Sequence, residues 1–158
     1  MRTAIIYSSK HGTTEKVANM IAEKISTSND VTLISLSSTS KPDLSPYEKV
    51  ILGTSIYAGR PTIKMRKFCR RYKDILQSKT IGLFVCGMRP ANKEAELQGA
   101  YPEYLHNIAK AEDFMGGKLL FEKMPFFRRR IMKRMAKTDT SVSKLDNTVI
   151  DQFSINIK

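Results

Sequence analysis

The run Ser8-Ser9-Lys10-His11-Gly12-Thr13-Thr14 sets hydroxyl residues around a single glycine, directly ahead of a segment with helical periodicity. That arrangement suits an anion. The first N–H groups of a helix point outward without partners, the helix dipole favours negative charge there, and Ser and Thr hydroxyls add donors for phosphate oxygens. Gly12 lets the backbone approach a ligand closely, Lys10 adds a full charge, and His11 can donate one more bond or face solvent. Neither common nucleotide loop, GxxxxGK(S/T) or GxGxxG, is present.

A second charged feature spans 122–140. Phe127, Ile131 and Met135 recur at i, i+4 and i+8, while Arg129, Arg130, Lys133, Arg134 and Lys137 cover much of the remaining circumference. The pattern predicts a basic amphipathic helix. Such a helix lies on an anionic membrane, grips an anionic partner, or is a solvated helix resting its narrow stripe on the core.

The elements that must position these residues alternate. Thr3 to Tyr7 reads as strand one, and from Thr13 onward Val17, Ala18, Ile21, Ala22 and Ile25 form one apolar stripe of a helix. Val31 to Leu36 is strand two, and after a Ser/Thr/Pro-rich connection Lys49 to Thr54 is strand three. Past Pro61, Met65, Phe68, Cys69, Tyr72 and Leu76 share one side of a second helix. Thr80 to Cys86 is a nearly all-apolar fourth strand. The stretch Arg89 to Gly99 reads as a polar loop. Tyr101, Tyr104, Leu105 and Ile108 have helical spacing. Gly116-Gly117 introduces a fifth strand over Lys118 to Phe121, and Val142, Leu145, Val149 and Phe153 predict a last helix. Strands alternating with helices call for a doubly wound parallel sheet with helices on both faces.

At 158 residues the chain fits one domain, 1–158, with 122–140 as a basic insertion after strand five. Its formal net charge of +12 and pI near 9.8 mark a surface that seeks anions. Cys69 and Cys86 do not form a CxxC pair and have no His cluster near them in sequence, so they read as buried thiols, and no metal site is expected. The chain has no signal-peptide pattern and no apolar run of membrane-spanning length. A cytoplasmic location is expected, with any membrane contact peripheral on its inner face. The basic residues match no nucleic-acid recognition motif, so nucleic acid is not an expected partner.

Ile5, Ile6, Tyr7, Ser9, Gly12, Thr14, Ala18 and Ile21 fall without a gap on the pattern that opens the flavodoxin family, which this chain resembles over nearly its whole length. The resemblance implies a flavodoxin-like five-stranded sheet of order 2-1-3-4-5, with the ligand beyond the carboxyl ends of strands one and three. It implies FMN as cofactor and as the reactive group, with no catalytic side chain. Ser9, Lys10, His11, Gly12, Thr13 and Thr14 would then cradle the phosphate. Thr54, Ser55, Ile56, Tyr57, Ala58 and Gly59 would wrap the ribityl chain and ring, with Tyr57 able to stack on the ring. Cys86, Gly87 and Met88 would form the second flavin loop, although the acidic and aromatic residues usual there are absent.

Electron-carrying flavodoxins are typically acidic, and this chain is basic. Cations near the flavin would stabilise its reduced, anionic form and make its potential less negative. A basic, aromatic-containing insertion ending in Thr138-Asp139-Thr140 resembles that of the flavodoxin-like menaquinone-dependent protoporphyrinogen IX dehydrogenases. That resemblance implies electrons passing from a tetrapyrrole to a quinone. Phe127, Arg128, Arg129 and Arg130 would meet the membrane or the substrate, the arginine forks suiting propionate carboxylates. The alternatives are an electron carrier serving a redox partner protein, and an FMN-dependent reductase of a quinone or small molecule.

Overall fold

The structure, a computed structural model, describes residues 1–88, 90–119, 142–143 and 145–158. Its first half runs β1 (Arg2–Ser8), α1 (Thr13–Ile25), β2 (Asp30–Ser35), β3 (Lys49–Tyr57), β4 (Arg60–Pro61), α2 (Ile63–Arg71) and α3 (Lys73–Leu76). The second half runs β5 (Thr80–Cys86), α4 (Lys93–Ala100), α5 (Glu103–Ile108), β6 (Ala109–Phe114), β7 (Lys118–Leu119), β8 (Val142–Ser143) and α6 (Asn147–Ile157).

Five strands pair in parallel in the order β2-β1-β3-β5-β6, and β4 folds back antiparallel onto the end of β3. This is the flavodoxin-like order expected, with β5 and β6 as the fourth and fifth strands of the sheet. Parallel strands are covered on both faces, which is why β1, β3 and β5 read as continuous apolar runs rather than alternating ones. On one face α1 and α6 bring Val17, Ile21, Ile25, Ile150, Phe153 and Ile157 onto Ile5, Ile51 and Phe84. On the other, Met65, Phe68, Cys69, Leu76, Ala100 and Leu105 meet Ile6, Leu52 and Leu83.

Two buried polar side chains tie the layers. Lys49, at the start of β3, donates from Nζ to the main-chain oxygens of Ile157 and Lys158, the latter at 3.0 Å. Burial first, and then the charge of Lys110, hold its ammonium below the usual lysine range. The Tyr101 hydroxyl lies 2.9 Å from Leu52 O and 2.7 Å from Phe84 O, so its one proton bridges the backbones of β3 and β5. Burial pushes that phenol well above its ordinary pKa and keeps the donor in place.

Several boundaries differ from the sequence reading. The fifth strand of the sheet is Ala109–Phe114, not Lys118 to Phe121. β6 is an edge strand that buries only Ala111 and Phe114, so its sequence carries little β signal. Lys118–Leu119 pairs instead with Val142–Ser143 in a separate two-stranded antiparallel ribbon. Within the expected loop 89–99, Lys93–Ala100 is helical. It buries only Glu96 and Ala100, one turn apart, and so shows no apolar stripe. The last helix starts at Asn147, where Asp146 Oδ1 accepts from Val149 N at 3.2 Å, a standard N-cap. The second helix is interrupted at Tyr72, whose ring stacks on Phe68 at 4.4 Å and whose hydroxyl donates to Pro42 O at 2.8 Å.

Gly53 sits where β3 meets the Phe84 ring. A Cβ built there would lie 2.0 Å from Phe84 Cζ, and Phe84 is itself fully buried edge-on against Phe153. Gly53→Ala is expected to destabilise the fold by about 2–3 kcal/mol through overpacking. Gly99→Ala, in open space on α4, should be neutral or stabilising by up to about 1 kcal/mol. Urea unfolding midpoints of the two variants check both.

Candidate functional site

Strand register assembles the site. Ser8 pairs with Thr54 across β1 and β3, and Ser55 pairs with Cys86 across β3 and β5. The three segments that follow therefore leave the sheet side by side at its carboxyl edge, the usual ligand position in an open α/β sheet. Ser9 to Thr14, Thr54 to Gly59 and Cys86 to Met88 are brought together. Phe127, Arg128, Arg129 and Arg130, with the rest of 122–140, lie outside the described residues.

The geometry of the first loop could hold an anion. Gly12 is the N-cap of α1, with φ of 88°, a left-handed conformation that side-chain-bearing residues seldom adopt. Gly12 has no side chain to cap the helix, so the N-cap position itself supplies no acceptor to the first turn. The loop holds its own shape through Gly12 N donating to Ser9 Oγ at 3.0 Å. The buried Thr14 hydroxyl lies against the Cys86 thiol and makes no hydrogen bond of ordinary geometry among the described residues. Lys10 Nζ sits 4.5 Å from the centre of the Tyr57 ring, and the His11 ring is 6.4 Å from it, so the loop tip and Tyr57 converge. Beneath, burial and then Glu15 push the Tyr7 phenol up, keeping it neutral under the loop.

The second segment is strand for most of its length. β3 runs to Tyr57, so Ser55, Ile56 and Tyr57 continue the strand that was expected to end at Thr54. Only Ala58 and Gly59 turn, with φ of 49° and 76°, and Tyr57 pairs with Arg60 across them. Two positive-φ residues at the tip are the signature of a tight hairpin whose twist matches the strands. A Cβ-bearing residue in that conformation is strained by about 1–2 kcal/mol, and the strain falls at the rim of the site. Ser55 Oγ is buried with no hydrogen-bond partner among the described residues.

A hydroxyl network fixes these pieces. Thr62 Oγ1 donates to Ser8 Oγ at 2.8 Å and accepts from Met65 N at 3.2 Å as the N-cap of α2. Thr62 N donates to Thr54 Oγ1 at 3.3 Å. Beside the network opens a cleft of about 470 Å³, lined by Ser9, Lys10, Tyr57, Arg60, Ile63 and Lys64 among others. Sequence reasoning missed Thr62. The Pro-Thr before a helical pattern was the available signal, since Thr is a preferred N-cap.

The third segment offers main chain rather than side chains. Cys86 is buried, and burial pushes its thiol up to about 12. Gly87 N donates to Gly116 O at 2.9 Å, and a Cβ on Gly87 would lie 2.6 Å from Glu96 Oε2. A Cβ on Gly117 would lie 2.6 Å from Gly87 O. The pair Gly116-Gly117, read in sequence as the approach to a strand, serves this close passage of two backbones.

Thr62→Val should remove the cap and leave Ser8 Oγ short of a donor, at a cost of about 2–3 kcal/mol in unfolding free energy. Thr62→Ser, which keeps the hydroxyl, should lose less than about 1 kcal/mol. Chemical denaturation of the pair measures the difference.

Residues 4–146 match the family model described as a flavodoxin domain. No curated protein matches in sequence. Among solved structures, oxidised flavodoxin 2 from Bacillus cereus is similar with a TM-score of 0.64 and 19% identity, covering 99% of this chain and 97% of that one. A flavodoxin, WrbA-like protein from Agrobacterium tumefaciens is similar with a TM-score of 0.59 and 15% identity, covering 99% and 92%. A flavodoxin from the domain Archaea gives 0.57 and 15%, covering 99% of each chain. At these identities the structural likeness speaks to fold, while the model match spans most of the chain: this protein belongs to the flavodoxin domain family.

Proposed function

We propose that this domain binds one FMN non-covalently at the carboxyl edge of its sheet and serves as a flavodoxin-type electron carrier between redox partner proteins. The observation that carries the reading is the left-handed Gly12 at the amino terminus of α1, which supplies no side-chain cap, beside the buried hydroxyl of Thr14, which has no ordinary hydrogen-bond partner among the described residues. Both fit a phosphate. Backbone N–H groups of the first turn, with the Ser9, Thr13 and Thr14 hydroxyls, would hold that group, and Lys10 and His11 would add donors. Ser55, Ile56 and Tyr57 would line the ribityl chain and ring, and the main chain of Gly87 and Met88 would meet the ring's polar edge. When bound, FMN supplies one- and two-electron transfer, and the chain positions it and limits its exposure to water. Family membership supports the carrier reading more directly than an enzymatic one.

A second reading, the quinone-linked protoporphyrinogen IX dehydrogenase that the sequence resembles, draws its support from the net charge of +12 and the basic segment 122–140. Peripheral contact with an anionic membrane belongs to that reading. Among the described residues no helix is long and apolar enough to cross a membrane. A cytoplasmic location is part of both proposals.

Pure, phosphate-free protein incubated with FMN and desalted should retain about one equivalent of flavin by absorption. Gly12→Asp, which strains the loop and sets a carboxylate where the phosphate would sit, should lower FMN affinity by about 100-fold or more. Undiminished retention would place the flavin elsewhere. Anaerobic incubation of the loaded protein with protoporphyrinogen IX and a menaquinone analogue should give no porphyrin if the domain is a carrier. Porphyrin formation that falls when Arg128, Arg129 and Arg130 are replaced by Ala would establish the dehydrogenase reading instead.

A further inference from the structure

All but one of the exposed side chains of α2 are cationic. Of its nine residues, Met65, Phe68 and Cys69 are buried, and Lys64, Arg66, Lys67, Arg70 and Arg71 are exposed. The exception is Ile63, 60% exposed at the amino end beside the cleft. None of the five cations lies within 4 Å of a carboxylate among the described residues. Lys64, Lys67 and Arg71, at i, i+3 and i+7, form one stripe, and Lys41 joins them around a hollow of about 240 Å³. Arg60 on the hairpin and Lys10 on the first loop continue the charge to the rim of the site.

This helix is built against its own local preferences. Lys64 and Arg66 stand in the first turn, where the helix dipole disfavours cations, and the pairs Lys64/Lys67, Arg66/Arg70 and Lys67/Arg71 set like charges one turn apart. An anionic surface laid on α2 would relieve both conflicts at once. The helix is also fixed to the site, because its N-cap Thr62 bonds Ser8 at the end of β1 and Thr54 beside it on β3.

We propose that α2, with Arg60 and Lys41 at its margins and Ile63 as its apolar centre, is the docking face for an acidic redox protein that exchanges electrons at the adjoining site. This rests on the carrier reading and names the chemistry of the partner. An apolar contact ringed by charge is the usual anatomy of a transient protein interface. A membrane fits α2 less well: its apolar residues other than Ile63 are committed to the core, leaving no face to insert.

The test uses the full chain and, as probe, an acidic 2Fe–2S ferredoxin. Binding is measured by calorimetry on the flavin-free chain, and electron transfer by stopped flow on the FMN-loaded chain. Two reduced ferredoxins and one proton account for each FMN reduced to its anionic hydroquinone, and both ferredoxins end oxidised. Lys64→Glu/Lys67→Glu should weaken ferredoxin binding and slow the bimolecular rate by at least about tenfold at low salt. The charge-matched control Lys110→Glu/Lys158→Glu should change either by less than about threefold, and circular dichroism confirms that both variants fold. The wild-type rate should fall by about tenfold or more from 20 to 200 mM salt. Equal loss in the two variants, or none in the α2 variant, overturns the proposal. So does binding to phosphatidylglycerol vesicles that is lost in the α2 variant when ferredoxin does not bind the wild type. Failure to take up FMN with α2-dependent ferredoxin binding intact would sink the carrier reading while the docking face stands.

Discussion

One hydroxyl, that of Thr62, holds the working edge of this protein together. In a parallel sheet every strand ends at the same edge and hands its chain to a crossover, so nothing in the ladder itself fixes the first residue of each connection. Thr62 does so by side-chain chemistry: it donates to Ser8, accepts from the α2 backbone, and bonds Thr54 through its own N–H. The first loop, the hairpin and α2 consequently share one anchor. Their relative position follows from hydrogen bonds buried from water, where such bonds resist exchange with solvent.

That anchoring explains how an unfavourable helix survives. Like-charge neighbours one turn apart cost about 0.2–0.5 kcal/mol each, and α2 carries several. Against this stand the Thr62 cap and the burial of Met65, Phe68 and Cys69, at about 1.5–3 kcal/mol for each large apolar side chain. Packing wins by a wide margin, so the charges on the outer face are free to be set by something other than stability. The Ala58–Gly59 hairpin shows the same order of priorities, holding an alanine in a left-handed conformation because strand pairing on either side determines it.

The central strands and the turn from β1 into α1 were legible in the sequence because each rests on local chemistry: continuous β-branched runs, a helical stripe, and a glycine at the helix start. What was not legible depends on partners far along the chain. β6 is polar to the eye because as an edge strand it buries only Ala111 and Phe114, so its place was given to Lys118 to Phe121, which lie beyond it. α4 hides in the same way, since its buried residues are an acid and an alanine. The extension of β3 to Tyr57 goes with the pairing of Ser55 to β5 and of Ile56 and Tyr57 to β4, and the strand preference of Ile56 and Tyr57 alone does not reveal those partners. The role of Gly87 is likewise invisible until Glu96 and Gly117 are seen to crowd it.

The two thiols bear on this protein's chemistry in a different way. Cys69 and Cys86 are buried, and burial lifts each to about 12. At neutral pH both stay protonated, and the thiolate is the form that attacks disulfides and oxidants. Cys86 nevertheless adjoins the loop where a redox cofactor would sit. Its enclosure amounts to insulation: were a flavin to cycle at this edge, neither cysteine would offer it a reactive thiolate.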